Sequence, residues 1–256
     1  MILPDVEQVK VIVAEAGQMA LARFGAVRPE IKADTTFVTE MDRAVERFLE
    51  ERLGALDPSF AFLGEEYGLR GDPGAPTWVC DPIDGTVNYV FGMQHWGVSV
   101  GLIVDGRSEL GVFEMPSTGE TYWGVRGGGA WRGAARLQAP DIRWPDPEDT
   151  VCLSSSSMKT LNTEVFSARL RCLGSIAAEL VYTARGALRA TIGVTEGVTD
   201  MAASYCICEE AGCVFRYLDG APLSCAELME IRRTSRHFAV GPPRLVERLC
   251  ATVHPR

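Results

Sequence analysis

Between Trp96 and Arg132 the chain reads WGVSVGLIV, ELGVFEM, ETYWGV and GAWR, and turn residues mark the junctions between these runs: Asp105-Gly106, Ser117-Thr118-Gly119 and Gly127-Gly128-Gly129. Short apolar runs joined by tight-turn residues predict a meander of antiparallel strands. After the connector PDIRWPDP (Pro140 to Pro147) the pattern changes. Strand-like runs at Val151–Ser154, Arg189–Ile192, Cys213–Phe215 and Phe238–Val240 then alternate with helical stretches at Thr163–Leu170, Ser175–Arg185, Asp200–Ala211 and Pro243–Cys250. The expectation is an α+β half over residues 1–140 and an α/β half over 141–256.

Ahead of the meander, Val9, Ile12, Val13, Ala16 and Ala20 recur at helical spacing within Val6–Phe24, and Gly25 is a stop. A second helix is expected over Met41–Leu53, with Thr39 as its N-cap and Asp42 closing a capping box. Two further apolar runs, Phe60–Leu63 and Trp78–Cys80, read as buried strands. Each ends in acid: Gly64-Glu65-Glu66 after the first, and Asp81-Pro82-Ile83-Asp84-Gly85-Thr86 after the second.

A third acid, Asp200, stands in Thr199-Asp200-Met201-Ala202-Ala203. Carboxylates gathered at strand ends without matching Lys or Arg repel one another, and hard divalent cations with oxygen ligands resolve the conflict. Magnesium suits carboxylates, a backbone carbonyl and water. Pro82 fixes the backbone so that Asp81, the Ile83 carbonyl and Asp84 converge, and Gly85 permits a sharp turn into a helix near Thr86 whose amides point towards an anion. Singly, Gly-Glu-Glu, Asp-Pro and Asp-Gly are ordinary surface and turn chemistry; in this order they are harder to dismiss. Phosphate monoester hydrolysis needs acceleration of up to roughly 10²¹-fold, and one carboxylate base supplies about 10²–10⁴-fold. That gap favours a site with several metal ions.

The net charge of −9 speaks against a protein that grips nucleic acid through its phosphates, and Arg232, Arg233 and Arg236 form only a short basic cluster. Bound divalent cations, however, reverse the field locally, so a phosphorylated substrate remains compatible. The first residues, MILPDVEQVKVIVAEAG, resemble neither a signal nor a transit peptide. The apolar run at Trp96–Val104 is far short of the roughly 20 residues that span a bilayer. A cytoplasmic protein with no membrane partner is the expectation. The eight cysteines include no CxxC pair, and with three histidines they give no zinc spacing.

These motifs resemble the inositol monophosphatase superfamily of magnesium-dependent, typically lithium-sensitive phosphatases, over nearly the whole chain. Val38-Thr39-Glu40-Met41-Asp42 resembles the family's VTxxD segment, Gly64-Glu65-Glu66 its GEE, and Trp78 to Gly92 (WVCDPIDGTVNYVFG) its main signature. Leu173 to Ala178 resembles a later GS-A segment, and Asp200-Met201-Ala202-Ala203 the closing WDxAA motif. The resemblance implies a layered α-β-α-β-α sandwich, usually a homodimer, with two or three Mg²⁺ per site. Glu65, Asp81 and the Ile83 carbonyl would hold the first, beside the attacking water. Asp81, Asp84 and Asp200 would hold the second, beside the leaving oxygen, and a third could share Glu65. Thr86, hydrogen-bonded to Asp42, would orient and deprotonate the water, and the amides of Gly85 and Thr86 would hold the phosphate.

Gly174 and Ser175, in the GS-A segment, and Asp200 join the implied substrate contacts. The leaving-group side departs from the family pattern. Gly193 stands where inositol-type members carry a Glu, Thr199 replaces the aromatic residue before the closing Asp, and Arg189 stands where an Asp is common. Glu196 is a candidate replacement acid from a shifted loop, and Arg189 is either a contact for an anionic substrate or a surface or structural residue. The expected function is hydrolysis of a small phosphate monoester of inositol, sugar, polyol or amino-alcohol type. The alternatives are a histidinol-phosphate, 3′-phosphonucleotide or fructose-1,6-bisphosphate phosphatase of the same fold and, in a different class, a non-catalytic regulatory homologue.

Overall fold

The computed structural model describes residues 3–32 and 36–256. Helix α1 (Val6–Leu21) opens the chain, capped by Asp5. A small hairpin of β1 (Glu30–Ile31) and β2 (Phe37–Val38) leads to α2 (Glu40–Gly54). The first large sheet then takes β3 (Ala61–Gly64), β4 (Gly68–Arg70), β5 (Thr77–Asp84), the short helix α3 (Thr86–Val90) between strands, β6 (Gly97–Val104), β7 (Arg107–Met115), β8 (Glu120–Val125), β9 (Gly129–Arg132) and β10 (Ala135–Leu137). Its eight strands lie in the order β10-β9-β8-β7-β6-β5-β3-β4, and the meander from β5 to β10 is antiparallel throughout, as the turn dipeptides predict. Only β3 and β5 are parallel, which brings the acids that follow both strands to one sheet edge.

The second sheet has five strands. Its elements run β11 (Thr150–Leu153), α4 (Ser155–Thr160), β12 (Arg169–Arg171), α5 (Ile176–Ala184), β13 (Thr191–Gly193), α6 (Val198–Glu210), β14 (Val214–Tyr217), α7 (Cys225–Ile231), β15 (Phe238–Gly241) and α8 (Pro243–Thr252). The order is β12-β11-β13-β15-β14, mixed parallel and antiparallel. Three apolar clusters separate five layers. Val13, Leu49, Trp78 and Val100 bind α1 and α2 to one face of the first sheet. Phe113, Leu180, Met201 and Phe238 place α5 and α6 between the two sheets. Leu153, Ile192, Leu245 and Leu249 bind α8 to the far face of the second. This is the α-β-α-β-α sandwich.

The middle layer depends on small residues. Gly101, Gly111 and Gly124 are cross-strand neighbours on β6, β7 and β8, and α6 lies directly on them. A Cβ added at Gly111 would stand 2.1 Å from the Ala203 carbonyl oxygen, one at Gly101 2.8 Å from the Ala202 carbonyl carbon, and one at Gly124 3.1 Å from the Ile207 Cα. Helix backbone thus rests on sheet backbone, and the Ser108 hydroxyl donates to the Ala202 carbonyl at 3.0 Å. This contact fixes the start of α6, where Asp200 stands.

The helix expected over Thr163–Leu170 does not form. Asn162 Oδ1 accepts the Glu164 amide at 3.0 Å in a side-chain turn, and the Phe166 ring stacks on Trp144 with centroids 5.7 Å apart. Arg169–Arg171 then runs as β12 parallel to β11. Tertiary pairing thus overrides a weak helical pattern. Helix α1 ends at Leu21, three residues before Phe24, and α4, α7 and the edge strands β4 and β10 had no counterpart in the sequence reading. The Arg cluster is internally engaged: Arg236 pairs with Asp219 at 2.6 Å and Arg233 donates to the Thr195 carbonyl at 3.0 Å.

Candidate active site

Strand β5 carries the main signature. Its pairing with β6 shifts register between Asp81 and Asp84, and this bulge holds Pro82, a residue tolerated inside a sheet only at such irregularities. Asp81 folds back so that Oδ1 accepts the Ile83 amide at 2.9 Å. Gly85 then turns with φ +84°, in the left-handed region that favours glycine. A Cβ there would stand 2.8 Å from the His95 carbonyl oxygen and 3.0 Å from the Ser175 Cβ.

Among the described residues, Glu65, Asp81 and Asp200 each offer a carboxylate oxygen within 4.8 Å of the others. They come from the ends of β3 and β5 and from the first turn of α6. Asp84 is buried beside them, with Oδ2 accepting from the Ser175 hydroxyl and from the Ala177 amide at 3.0 Å. That oxygen joins the first sheet to the N-terminus of α5. Asp200 Oδ2 accepts the Gly197 amide at 2.9 Å and Oδ1 the Thr199 hydroxyl at 2.9 Å.

Burial pushes the carboxyls of Asp81 and Asp84 well above the usual range, and the neighbouring acids, Asp200 among them, push further. Glu65 rises for the same reasons, burial first and then Asp200, against an opposing pull from Lys32. Such a set is electrostatically costly without a cation, and its all-oxygen chemistry fits magnesium. Lys32 supplies part of the missing charge, with Nζ 3.0 Å from Glu65 and 2.5 Å from Glu66. Burial lowers its basicity, but the two glutamates outweigh that and hold it protonated.

Asp42 stands in the first turn of α2. Its Oδ2 accepts the Thr39 amide at 2.7 Å and the Thr39 hydroxyl at 2.6 Å, forming the capping box. Oδ1 is buried with no partner among the described residues. Burial raises the Asp42 carboxyl to about 6. The Thr86 hydroxyl does not bond Asp42 here; it donates to the Ile83 carbonyl at 3.1 Å.

A cavity of about 600 Å³ opens beside Asp84 and Asp200. Asp84, Asp200, Gly174, Ser175 and Glu196 line it. Arg189 does not: it precedes β13 at the opposite end of the sheet from Gly193, where Nε pairs with Asp149 at 2.7 Å and Nη1 meets the Gly186 carbonyl at 3.2 Å. The expectation that Arg189 contacts substrate is corrected on that ground, because its charge is taken up by Asp149.

Several lining residues escaped the sequence reading. Glu179 is buried and accepts the Leu173 and Gly174 amides at 2.9 and 3.1 Å. Asn88 clips the same loop to α3, donating to the carbonyls of His95 at 2.6 Å and Leu173 at 2.7 Å. Ser154, Ser155 and Ser156 follow β11 and face the cavity; a serine run directly after an apolar strand was the available signal. Glu46 was also missed, although it lies one helical turn from Asp42. It is fully buried, accepts the Glu66 and Tyr67 amides at 2.7 and 2.9 Å, and so shapes the turn that presents Glu65.

The model of the inositol monophosphatase family matches residues 5–255. The chain belongs to that family. With membership comes the class of phosphoric monoester hydrolases. A histidinol-phosphatase of Chlorobaculum parvum is 33% identical over 141 residues, covering 54% of this chain and 54% of that protein. The Nus factor SuhB of Pasteurella multocida is 30% identical over 237 residues, 88% of this chain and 85% of that one. Among solved structures, an IMPase of Thermotoga maritima superposes with a TM-score of 0.85 at 23% identity, covering 96% of this chain and 95% of that chain. This last likeness establishes the family fold.

Proposed function

We propose that the chain hydrolyses a small phosphate monoester with magnesium, at the cavity beside Asp84 and Asp200. The convergence of Glu65, Asp81 and Asp200 within 4.8 Å carries the reading, with Asp200 also on the wall of that cavity. These three, with Asp84 and the Ile83 carbonyl, would hold two or three Mg²⁺ ions. Bound there, the ions supply charge for the phosphate oxygens and lower the barrier to water attack.

The chain's own groups do the rest. The amides of Gly85 and Thr86 hold the phosphate at the turn into α3. In hydrolysis the water oxygen forms a new P–O bond while the ester P–O bond breaks. One water proton passes to Asp42 by way of the Thr86 hydroxyl, which would turn from the Ile83 carbonyl. The released alkoxide takes a proton from solvent, giving an alcohol and inorganic phosphate. The buried Asp42 Oδ1, with no partner among the described residues, supports this route.

The two halves, 1–140 and 141–256, meet at the site, and the protein works as a cytoplasmic homodimer. Exposed Phe91, outside the cavity lining, supports self-association, and among the described residues no helix is long and apolar enough to cross a membrane. Polyol, sugar and amino-alcohol phosphates are the leading substrates. The test is phosphate release from a panel of esters, including a nucleoside 3′,5′-bisphosphate, with and without magnesium. Asp84→Asn should abolish release with the circular dichroism spectrum intact. Release that is independent of magnesium, or an unchanged rate in that variant, would refute the reading. Turnover of the nucleotide alone would refute the substrate class.

A further inference from the structure

Gly193 ends β13 facing the cavity layer, and nothing larger fits there: a Cβ would stand 2.6 Å from the Phe238 ring and 3.2 Å from Glu196 Cγ. The stem of Glu196 therefore covers the spot where a side chain at Gly193 would begin. The chain reaches this arrangement through a strained residue. Thr195 is β-branched yet adopts φ +64°, a conformation that persists only where the surroundings impose it.

Here the imposing contacts come from the segment after α7. The Glu196 amide donates to the Thr234 hydroxyl at 3.1 Å, and the Thr234 amide donates back to the Glu196 carbonyl at 2.9 Å. The Val198 amide meets the Arg232 carbonyl at 2.8 Å. Glu196 is thus pinned on both sides of its backbone, with its side chain on the cavity wall.

Four carboxylates line the cavity: Asp84, Glu179, Glu196 and Asp200. Asp84 caps α5, Glu179 holds the Leu173 and Gly174 amides, and Asp200 caps α6 while facing Glu65 and Asp81. Glu196 caps no helix. The described lining contains no Lys or Arg. Lys32 is bound by Glu65 and Glu66; Arg233 is exposed and donates to the Thr195 carbonyl, outside the lining, although its charge reaches Glu196.

We infer that Glu196 reads the leaving group, selecting an ester whose alcohol carries a protonated amine over one that carries a second phosphate. The inference rests on the phosphatase reading above and names its substrate class. A second phosphate beside Glu196 would meet like charge and no cation from the lining, whereas an ammonium gains a charge-assisted hydrogen bond.

The test compares kcat/KM for histidinol phosphate and fructose 1,6-bisphosphate with the magnesium-loaded enzyme. The wild type should prefer the amine ester. Glu196→Gln, nearly isosteric, should reduce that preference at least about tenfold, the lower end for one hydrogen bond to a charged group, and chiefly through KM. Glu196→Asp, which keeps the charge, should retain it, and Glu196→Lys should reverse it. An unchanged ratio in Glu196→Gln overturns the inference. So does a wild-type preference for the bisphosphate that Arg233→Ala removes, since Arg233 would then be the reader. Failure of the wild type to release phosphate from any ester overturns the phosphatase reading itself, a distinct result.

Discussion

Replacing Asp200 by Asn should stabilise the metal-free protein while destroying its response to magnesium. The Asp200 charge adds to the pressure on Glu65, Asp81, Asp84 and Glu196. Its oxygen lies within 4.8 Å of those on Glu65 and Asp81. At that separation two full charges repel by about 3 kcal/mol at an effective dielectric of about 20. Asn retains an oxygen for the Gly197 amide, and losing a negative charge at the start of α6 costs about 0.5 kcal/mol. The net gain is about 1–3 kcal/mol, or roughly 3–8 °C in Tm for a chain of this size.

The gain depends on pH with a defined sign. Glu65 is raised in the fold from 4.5 to about 7, so the unfolded chain binds fewer protons across that interval, and metal-free stability falls as pH rises through it. The Asn variant removes part of that slope. The assay is thermal unfolding in chelator at pH 5 and pH 7.5, repeated with magnesium. The variant should unfold later than wild type at pH 7.5 and nearly with it at pH 5. Magnesium at about 100 times its Kd should raise wild-type stability by about 2.7 kcal/mol and leave the variant unmoved. A variant no more stable than wild type in chelator at pH 7.5 would refute the claim that these acids are in conflict.

Gly111→Ala places a methyl 2.1 Å from the Ala203 carbonyl oxygen; a loss of about 2–4 kcal/mol in urea unfolding is expected, because helix and sheet backbones must part. Asp42→Ala removes the capping box and should cost about 1 kcal/mol. If the residue also takes the water's proton, kcat should fall by about 10²–10⁴-fold with KM little changed; steady-state kinetics alongside unfolding separates the two effects.

Much of this was legible in the sequence because local chemistry and tertiary fold agree. Thr39 and Asp42 announce the start of α2 three residues apart, and the Gly-containing turns space the meander. The run of acids after apolar strands placed Glu65 and Asp81 at one sheet edge, where the parallel pairing of β3 and β5 puts them. What could not be read depends on contacts distant in the chain. The lost helix after Asn162 yields to a neighbouring strand and to Trp144. The Asp149 partner of Arg189 sits 40 residues away. The glycines under α6 look like ordinary strand interruptions until Ala202 and Ala203 are laid on them.

That glycine column separates what can drift from what cannot. The contact that seats α6 is made by main-chain atoms on both sides, so it has no rotamers to adjust and no side chain to trade. Asp200 inherits its coordinates from this rail. The loop from Gly193 to Gly197, one turn upstream, is held in part by side chains that can be exchanged: the Thr234 hydroxyl accepts the Glu196 amide and Arg233 donates to the Thr195 carbonyl. Sequence change can therefore remodel what the cavity accepts without displacing the acid on which hydrolysis depends. A directed-evolution library confined to residues 193–196 and 232–236 would explore new leaving groups over a stationary centre.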